Sequence, residues 1–161
     1  LGIITKAVLR LSPEPKKTFS ALLAVRDASG ILELAQKLRN DAGEFLTAME
    51  FFSDVGLNMA LKNIPGLTFP LQTRSPYYFL IEVSSSSIKV PLDSMISEII
   101  QWGMDEGMVI DGALAQSEDQ RLAFWRLREE QPEGQRRLGK QLKNDIQFSL
   151  AIEICYENYL H

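Results

Sequence analysis

The sequence predicts an α+β fold, namely a ferredoxin-like split βαβ arrangement with an antiparallel sheet covered by helices on one face. Two observations lead to this prediction. Segments rich in β-branched and aromatic residues alternate with segments whose apolar residues recur every three or four positions. Their order is strand, helix, strand, a helical insertion, and again strand, helix, strand. Because no repeat of roughly 20–50 residues is visible, a solenoid is not expected.

The first half of the chain contains three predicted strands, at 1–9, 19–25 and 46–52. Asp27 or Ser29 can cap a helix whose apolar stripe ends near Gly43. Ser53 or Asp54 can cap a second, shorter helix after the third strand.

The second half contains predicted strands at 77–83, 109–115 and 142–150, with helices at 92–106 and from Ala151 onward. The serine run Ser84–Ser87 is interpreted as a flexible loop tip. Ser117 can cap one more helix, which Pro132 and Gly134 are expected to loosen or end.

Composition limits the class of protein. A chain of 161 residues can form one domain, and its content of 45% hydrophobic and 24% charged residues is typical of soluble globular proteins. No apolar run approaches the roughly 20 residues that a transmembrane helix needs, so none is expected. The net charge of -4 argues against nucleic acid as a partner.

Few residues could build a metal site or activate a nucleophile. The one histidine is His161, so a site made of several histidines is not expected and we predict no metal ligands in this chain. The one cysteine, Cys155, excludes an internal disulfide and fits a reducing compartment, from which we expect a cytoplasmic location. Glu50 lies in an apolar strand, where a functional carboxylate is one interpretation; the alternation of the strand instead favours a position facing solvent or a partner cation.

Basic residues are concentrated in one short part of this acidic chain: Arg121, Arg126, Arg128, Arg136, Arg137, Lys140 and Lys143. On a helix, Arg121, Trp125 and Arg128 share one side, and Trp125 can hold an arginine by stacking. Arg128 and Lys143, on consecutive elements, can bind one carboxylate. The pattern alone favours a plainer alternative, a solvated helix face with weak ion pairs.

The chain resembles the C-terminal region of FAD-linked oxidases of the vanillyl-alcohol-oxidase superfamily. The nearest group is the D-2-hydroxyglutarate dehydrogenase, D-lactate dehydrogenase and glycolate oxidase subunit type. The order and spacing of five segments carry the resemblance: Leu1-Gly2-Ile3-Ile4-Thr5, Thr47-Ala48-Met49-Glu50-Phe51, Gln116-Ser117, Trp125-Arg126-Leu127-Arg128-Glu129 and Lys143-Asn144-Asp145-Ile146.

This resemblance implies a substrate-binding (cap) domain over 1–161, with 1–11 as the exit strand from a preceding flavin domain. It implies FAD as cofactor, held mainly by that other domain, with Gly2, Ile3, Ile4 and Thr5 beside the flavin. The implied substrate is a small D-2-hydroxy acid (D-lactate, D-2-hydroxyglutarate or glycolate), whose carboxylate Arg128 and Lys143 bind. The resemblance further implies that any divalent metal binds outside this chain and that the isolated chain is inactive. It is compatible with a homodimer.

Two departures from the family pattern leave the substrate open. Pro132 stands where the hydroxyglutarate enzymes have a threonine near the substrate, and Gln147-Phe148-Ser149 replaces a segment that ends in proline. The alternative to an enzyme is a non-enzymatic ferredoxin-like module that binds an anion or dimerises.

Overall fold

The computed structural model describes residues 2–9 and 11–139. In this part of the chain the elements are β1 (Lys17–Val25), α1 (Ala28–Ala42), β2 (Leu46–Ser53), α2 (Asp54–Asn63), β3 (Tyr77–Ser85), α3 (Leu92–Asp105), β4 (Val109–Leu114), α4 (Glu118–Glu129) and α5 (Gln131–Arg136). None of these helices is long and apolar enough to cross a membrane.

The four strands form one antiparallel sheet in the order β2-β3-β1-β4. The connection through α1 joins β1 to β2, and β3 lies between these two strands. The connection through α3 joins β3 to β4 in the same way, across β1. This interleaving is the topology of the split βαβ unit, so the predicted α+β, ferredoxin-like class is confirmed.

The central strands β1 and β3 are buried on both faces. Alternation sends Leu23 and Phe79 into a core formed with α1 and α3, while Leu22, Tyr78 and Leu80 enter a second core. Apolar residues of α2 and α4 complete the second core: Leu57, Phe124 and Leu127. The helices α1 and α3 therefore cover one face as predicted. The helices α2 and α4 were also predicted, but they cover the other face rather than the same one.

The predicted N-caps begin three of the helices. Asp27, Ser53 and Ser117 each accept a hydrogen bond from the backbone N–H three residues further on, at 2.9, 3.3 and 3.3 Å. Hydrogen bonds from the Gly30 N–H and the Ser29 hydroxyl lower the pKa of Asp27. Both α2 and α4 contribute residues to the hollow described below.

Two predictions made from local sequence need correction, and two others are untested. The opening strand is wrong for residues 2–9, which form no strand and pair with no strand of the described sheet; Ile3, for example, is 92% exposed. The serine run is only partly a loop, because Ser84 and Ser85 extend β3 and pair with Thr18 and Lys17. The strand at 142–150 and the helix from Ala151 lie outside the described residues.

The helices α2 and α5 pack so closely that Gly134 has no room for a side chain. A Cβ there would lie 2.7 Å from the Cα and 2.9 Å from the N of Ala60. Because these are backbone atoms, they cannot rotate away. Gly134→Ala is therefore expected to push α5 from α2 and lower the free energy of unfolding by about 2 kcal/mol, which urea denaturation followed by tryptophan fluorescence would measure.

Arg136→Ala is the control for this prediction, because it changes the same helix at a side chain that is 76% exposed. We expect it to change the free energy of unfolding by no more than about 0.5 kcal/mol. Equal losses in the two variants would mean that the contact at Gly134 does not determine the stability of α5.

Candidate functional site

α4 lies across the second face of the sheet and presents polar side chains to it. Phe124 and Leu127 anchor the helix in the core, with relative exposures of 3% and 0%. Arg121, Trp125 and Arg128 follow one another at helical spacing, and each bonds a carboxylate on a strand below. The prediction that these three residues share a side of the helix is confirmed.

Glu82 of β3 is the centre of a cluster that the sequence did not predict. Its Oε2 accepts hydrogen bonds from Ser20 Oγ at 2.8 Å, Trp125 Nε1 at 2.8 Å and Arg121 Nη1 at 2.9 Å. Burial on its own would raise the pKa of Glu82, but these donors and the Arg121 charge together lower it below its ordinary value. The ionised carboxylate thus joins α4 to β1 and β3.

A sequence signal for this cluster exists. In the sequence, Glu82 interrupts the apolar run of β3, and in the structure its side chain is only 14% exposed. A carboxylate at such a position needs a cation, and Arg121 is on the helix that follows the sheet. The predicted stacking of an arginine on Trp125 is replaced by the bond from its indole N–H to Glu82.

Arg121 has a second carboxylate partner at the start of its own helix. Its Nε and Nη2 donate to the two oxygens of Glu118 at 2.8 and 2.6 Å. The bonds to Glu118 and then to Glu82 raise the pKa of the Arg121 guanidinium. All three guanidinium nitrogens are therefore used, and Arg121 is structural rather than available to a ligand.

Arg128 is bound differently from Arg121. Its Nε donates to Oε2 of Glu50 on β2 at 2.9 Å, and the side chains of both residues are 37% exposed. This bond confirms that Glu50 faces a partner cation. The ion pair does not use the terminal Nη1 and Nη2 groups of Arg128, which form the end of the guanidinium that can grasp a carboxylate.

Arg128 also borders an open hollow of about 350 Å³ between β2, α2 and α5. Apolar and amide side chains make up most of its wall: Phe51, Phe52, Ser53, Val55, Gly56, Met59, Gln131, Pro132 and Gln135. Among the described residues that line it, Arg128 is the one with a charge. A small anion with a short apolar or polar chain fits these surroundings.

The remaining described members of the basic cluster form surface ion pairs. Arg126 Nη2 lies 3.8 Å from Glu130 Oε1, and Arg136 and Arg137 both contact Glu133, at 2.6 and 3.1 Å. These pairs match the alternative of a solvated helix face, and exposed pairs of this kind add little to stability. Lys140 and Lys143 lie outside the described residues, so the predicted meeting of Lys143 with Arg128 remains a prediction.

The predicted cofactor segment is exposed rather than packed on the described domain, so its position beside the flavin remains a prediction. Ile3 and Ile4 are 92% and 87% exposed, and Gly2 and Thr5 are exposed as well. A Cβ on Gly2 would meet no atom within 4 Å. Within residues 2–9 and 11–139, no group of three or more His, Cys, Asp or Glu side chains could hold a metal ion.

Comparison with known proteins finds relatives that match most of this chain. The family model for FAD linked oxidases, C-terminal domain, matches residues 14–150. The mitochondrial D-2-hydroxyglutarate dehydrogenase of Arabidopsis thaliana is 28% identical over 97% of this chain and 27% of its own length. The rat enzyme of the same name (Rattus norvegicus) is 30% identical over 98% of this chain and 28% of its own length.

A bacterial relative has the same activity in its name. The D-2-hydroxyglutarate dehydrogenase of Stutzerimonas stutzeri (strain A1501) is 29% identical over 80% of this chain and 27% of its own length. The chain thus spans less than a third of the length of these curated relatives.

Proposed function

Because the chain belongs to the family of FAD linked oxidases, C-terminal domain, we propose that it is the substrate-binding part of an FAD-dependent dehydrogenase. The proposed reaction oxidises a D-2-hydroxy acid to the 2-oxo acid. The names of the relatives favour D-2-hydroxyglutarate as substrate, with D-lactate and glycolate as the other candidates.

One observation carries this proposal, the placement of Arg128 at the hollow. Its Nε is occupied by Glu50, while the fork of Nη1 and Nη2 is outside that ion pair. A carboxylate can accept two parallel hydrogen bonds from such a fork, which fixes its orientation as well as its position. Holding the carboxylate fixes the neighbouring Cα carbon, the reacting centre of a 2-hydroxy acid.

Lys143 is the second carboxylate anchor in this proposal. It lies 15 positions after Arg128, and the resemblance assigns both residues to a substrate carboxylate. An ammonium is a compact point charge that tolerates several approach directions, whereas the guanidinium imposes a plane. Together they would suit a substrate with one well-oriented carboxylate or with two.

In this proposal the described residues bind the carboxylate, and Gly2, Ile3, Ile4 and Thr5 lie beside a flavin that is held mainly elsewhere. These four residues are exposed and pack against nothing in the described domain, so they cannot hold the flavin by themselves. We therefore derive the recognition of the substrate from this chain and assign the flavin mainly to another part of the whole protein. The part of the chain that the structure describes contributes binding and orientation.

The test is a substrate screen with the whole protein that contains this chain. The protein would be loaded with FAD and mixed with an artificial electron acceptor and D- or L-2-hydroxyglutarate, D- or L-lactate, or glycolate. We expect one of the proposed acids to reduce the acceptor, and a chiral substrate to do so mainly as its D-enantiomer. If none of these acids is oxidised, the chain is better explained as the non-enzymatic anion-binding module.

We also propose a cytoplasmic location, on the ground of the single cysteine. The Arabidopsis and rat relatives are mitochondrial by name. Imaging of the tagged whole protein beside a mitochondrial marker would decide between the two compartments.

A further inference from the structure

We infer that Glu50 is a positioning residue that holds Arg128 with its terminal nitrogens directed to the hollow. This inference rests on the proposed function, because it concerns how the same carboxylate site is prepared. The observation behind it is the choice of nitrogen: Glu50 Oε2 binds Nε of Arg128, at 2.9 Å, and not the terminal groups.

The chemistry of the guanidinium makes this choice important. A guanidinium has five N–H donors in one plane, and it can present either the edge with Nε or the end with Nη1 and Nη2. A carboxylate bonded to Nε takes part of the edge and leaves the end as the remaining bidentate face. Arg128 lines a hollow whose other described lining residues carry no charge, so we place that end toward the hollow.

Glu50 is well placed to act as a fixed support. It is on β2, opposite Leu80 of β3 in the sheet register, and the next inward residue of β2, Phe52, is 5% exposed. A strand in a packed sheet moves less than a free side chain, so the carboxylate is held where the guanidinium must meet it. The Glu82 cluster supports the same helix further toward its N-terminus, through Arg121 and Trp125.

The charge of Glu50 has a second consequence. The pair of Glu50 and Arg128 is close to neutral as a unit, so it attracts a distant anion weakly. Binding at this end of the hollow must then depend on short, oriented hydrogen bonds to the fork. Glu50 should therefore increase selectivity for a planar carboxylate and lower the general attraction for anions.

Two substitutions separate orientation from charge. Glu50→Gln keeps an oxygen that can accept from Nε of Arg128 and removes the negative charge. Glu50→Leu removes both. If Glu50 orients Arg128, the glutamine variant should bind a carboxylate as tightly as the unmodified protein or up to about threefold more tightly. The leucine variant should bind about tenfold more weakly, because binding must then immobilise the long side chain of Arg128, which typically costs about this much affinity.

Binding would be measured by calorimetry on the whole FAD-loaded protein with glutarate and propionate, which carry carboxylates and have no hydroxyl group to oxidise. The tighter of the two serves as the probe. In turnover with the acid found in the screen, Glu50→Leu should raise KM about tenfold and change kcat less than about threefold. Glu133→Gln and Glu133→Leu are the matched controls, because Glu133 is also paired with arginines but does not line the hollow.

The results distinguish this inference from the proposed function. If the protein oxidises a D-2-hydroxy acid but both Glu50 variants bind the probe within twofold of the unmodified protein, the proposed function stands and Glu50 has no positioning role. If both variants bind the probe more tightly, Glu50 competes with the substrate for Arg128, and the inference is wrong. The inference is also wrong if the unmodified protein binds neither probe. If the variants bind the probe in the expected order of affinities but the protein oxidises no hydroxy acid, the positioning role of Glu50 stands and the proposed reaction is wrong.

Discussion

Replacing Arg128 with methionine in the whole protein is expected to lower kcat/KM for the proposed D-2-hydroxy acid about 100-fold, mainly through KM. Charge-assisted hydrogen bonds shielded from water contribute roughly 1.5–3 kcal/mol each, and every 1.4 kcal/mol is a factor of ten. The substitution also leaves Glu50 without its cation, so the substrate carboxylate would approach an unpaired negative charge. Steady-state kinetics over a range of substrate concentrations would measure the loss.

Arg126→Met is the matched control for this experiment. Arg126 is on the same helix, points away from the sheet, and pairs with Glu130 at 3.8 Å. The same change of residue type there should leave kcat/KM within about twofold, because a surface ion pair of this length contributes little. Unchanged kcat/KM in Arg128→Met for D-2-hydroxyglutarate, D-lactate and glycolate would remove Arg128 from the substrate site.

The architecture of the described chain could be predicted from sequence because local signals agree there. The apolar run from Ala21 to Val25 is a buried central strand, and Asp27, Ser53 and Ser117 begin helices as capping residues. The strand predicted for residues 1–9 is wrong because β-branched residues favour an extended backbone but do not supply a neighbouring strand. Ile3 and Ile4 have the composition of a strand, yet no described strand lies beside them.

The candidate site was only half predictable for a related reason. Arg128 was found through helical spacing and through the resemblance, both of which are properties of a short segment. Its partner Glu50 is 78 residues away in sequence, and only the sheet register and the packing of α4 bring the two together. The same holds for Ser20, Glu82 and Trp125, which no local pattern connects. Pairing across elements depends on tertiary structure, so residue patterns predict the participants better than the contacts.

Arg121→Met is expected to lower the free energy of unfolding by about 3 kcal/mol at neutral pH, because it leaves the Glu82 carboxylate without a cation at a largely buried position. Removing one partner of a buried ion pair typically costs about 3–5 kcal/mol. We expect the lower end of this range because Trp125 and Ser20 still donate to Glu82. Urea denaturation of the protein and the variant would measure the difference.

Two further variants test the cause of that loss. Glu118→Gln removes only the charge of the exposed partner of Arg121. Because the side chain of Glu118 is 65% exposed, this change should leave the free energy of unfolding almost unchanged. Adding Glu82→Gln to Arg121→Met removes the unpaired charge while an amide oxygen still accepts from Trp125, and it should recover about 1 kcal/mol. If Arg121→Met costs as little as Glu118→Gln, Glu82 does not hold α4 to the sheet.

The pH dependence gives an independent check with a defined sign. The pKa of Glu82 is lower in the folded protein than its ordinary value. Its contribution to stability is therefore fully present above the unfolded pKa of about 4.3, and is lost as the pH falls through the folded pKa. Without Arg121 the pKa of Glu82 in the folded protein rises, so the stability difference between the protein and Arg121→Met should be largest above about pH 5 and should narrow in acid.

A stability difference that stays constant through this pH range would mean that Arg121 acts through its packing rather than through its charge. In that case the orientation of α4, and with it the direction in which Arg128 faces the hollow, would depend on the apolar anchors Phe124 and Leu127.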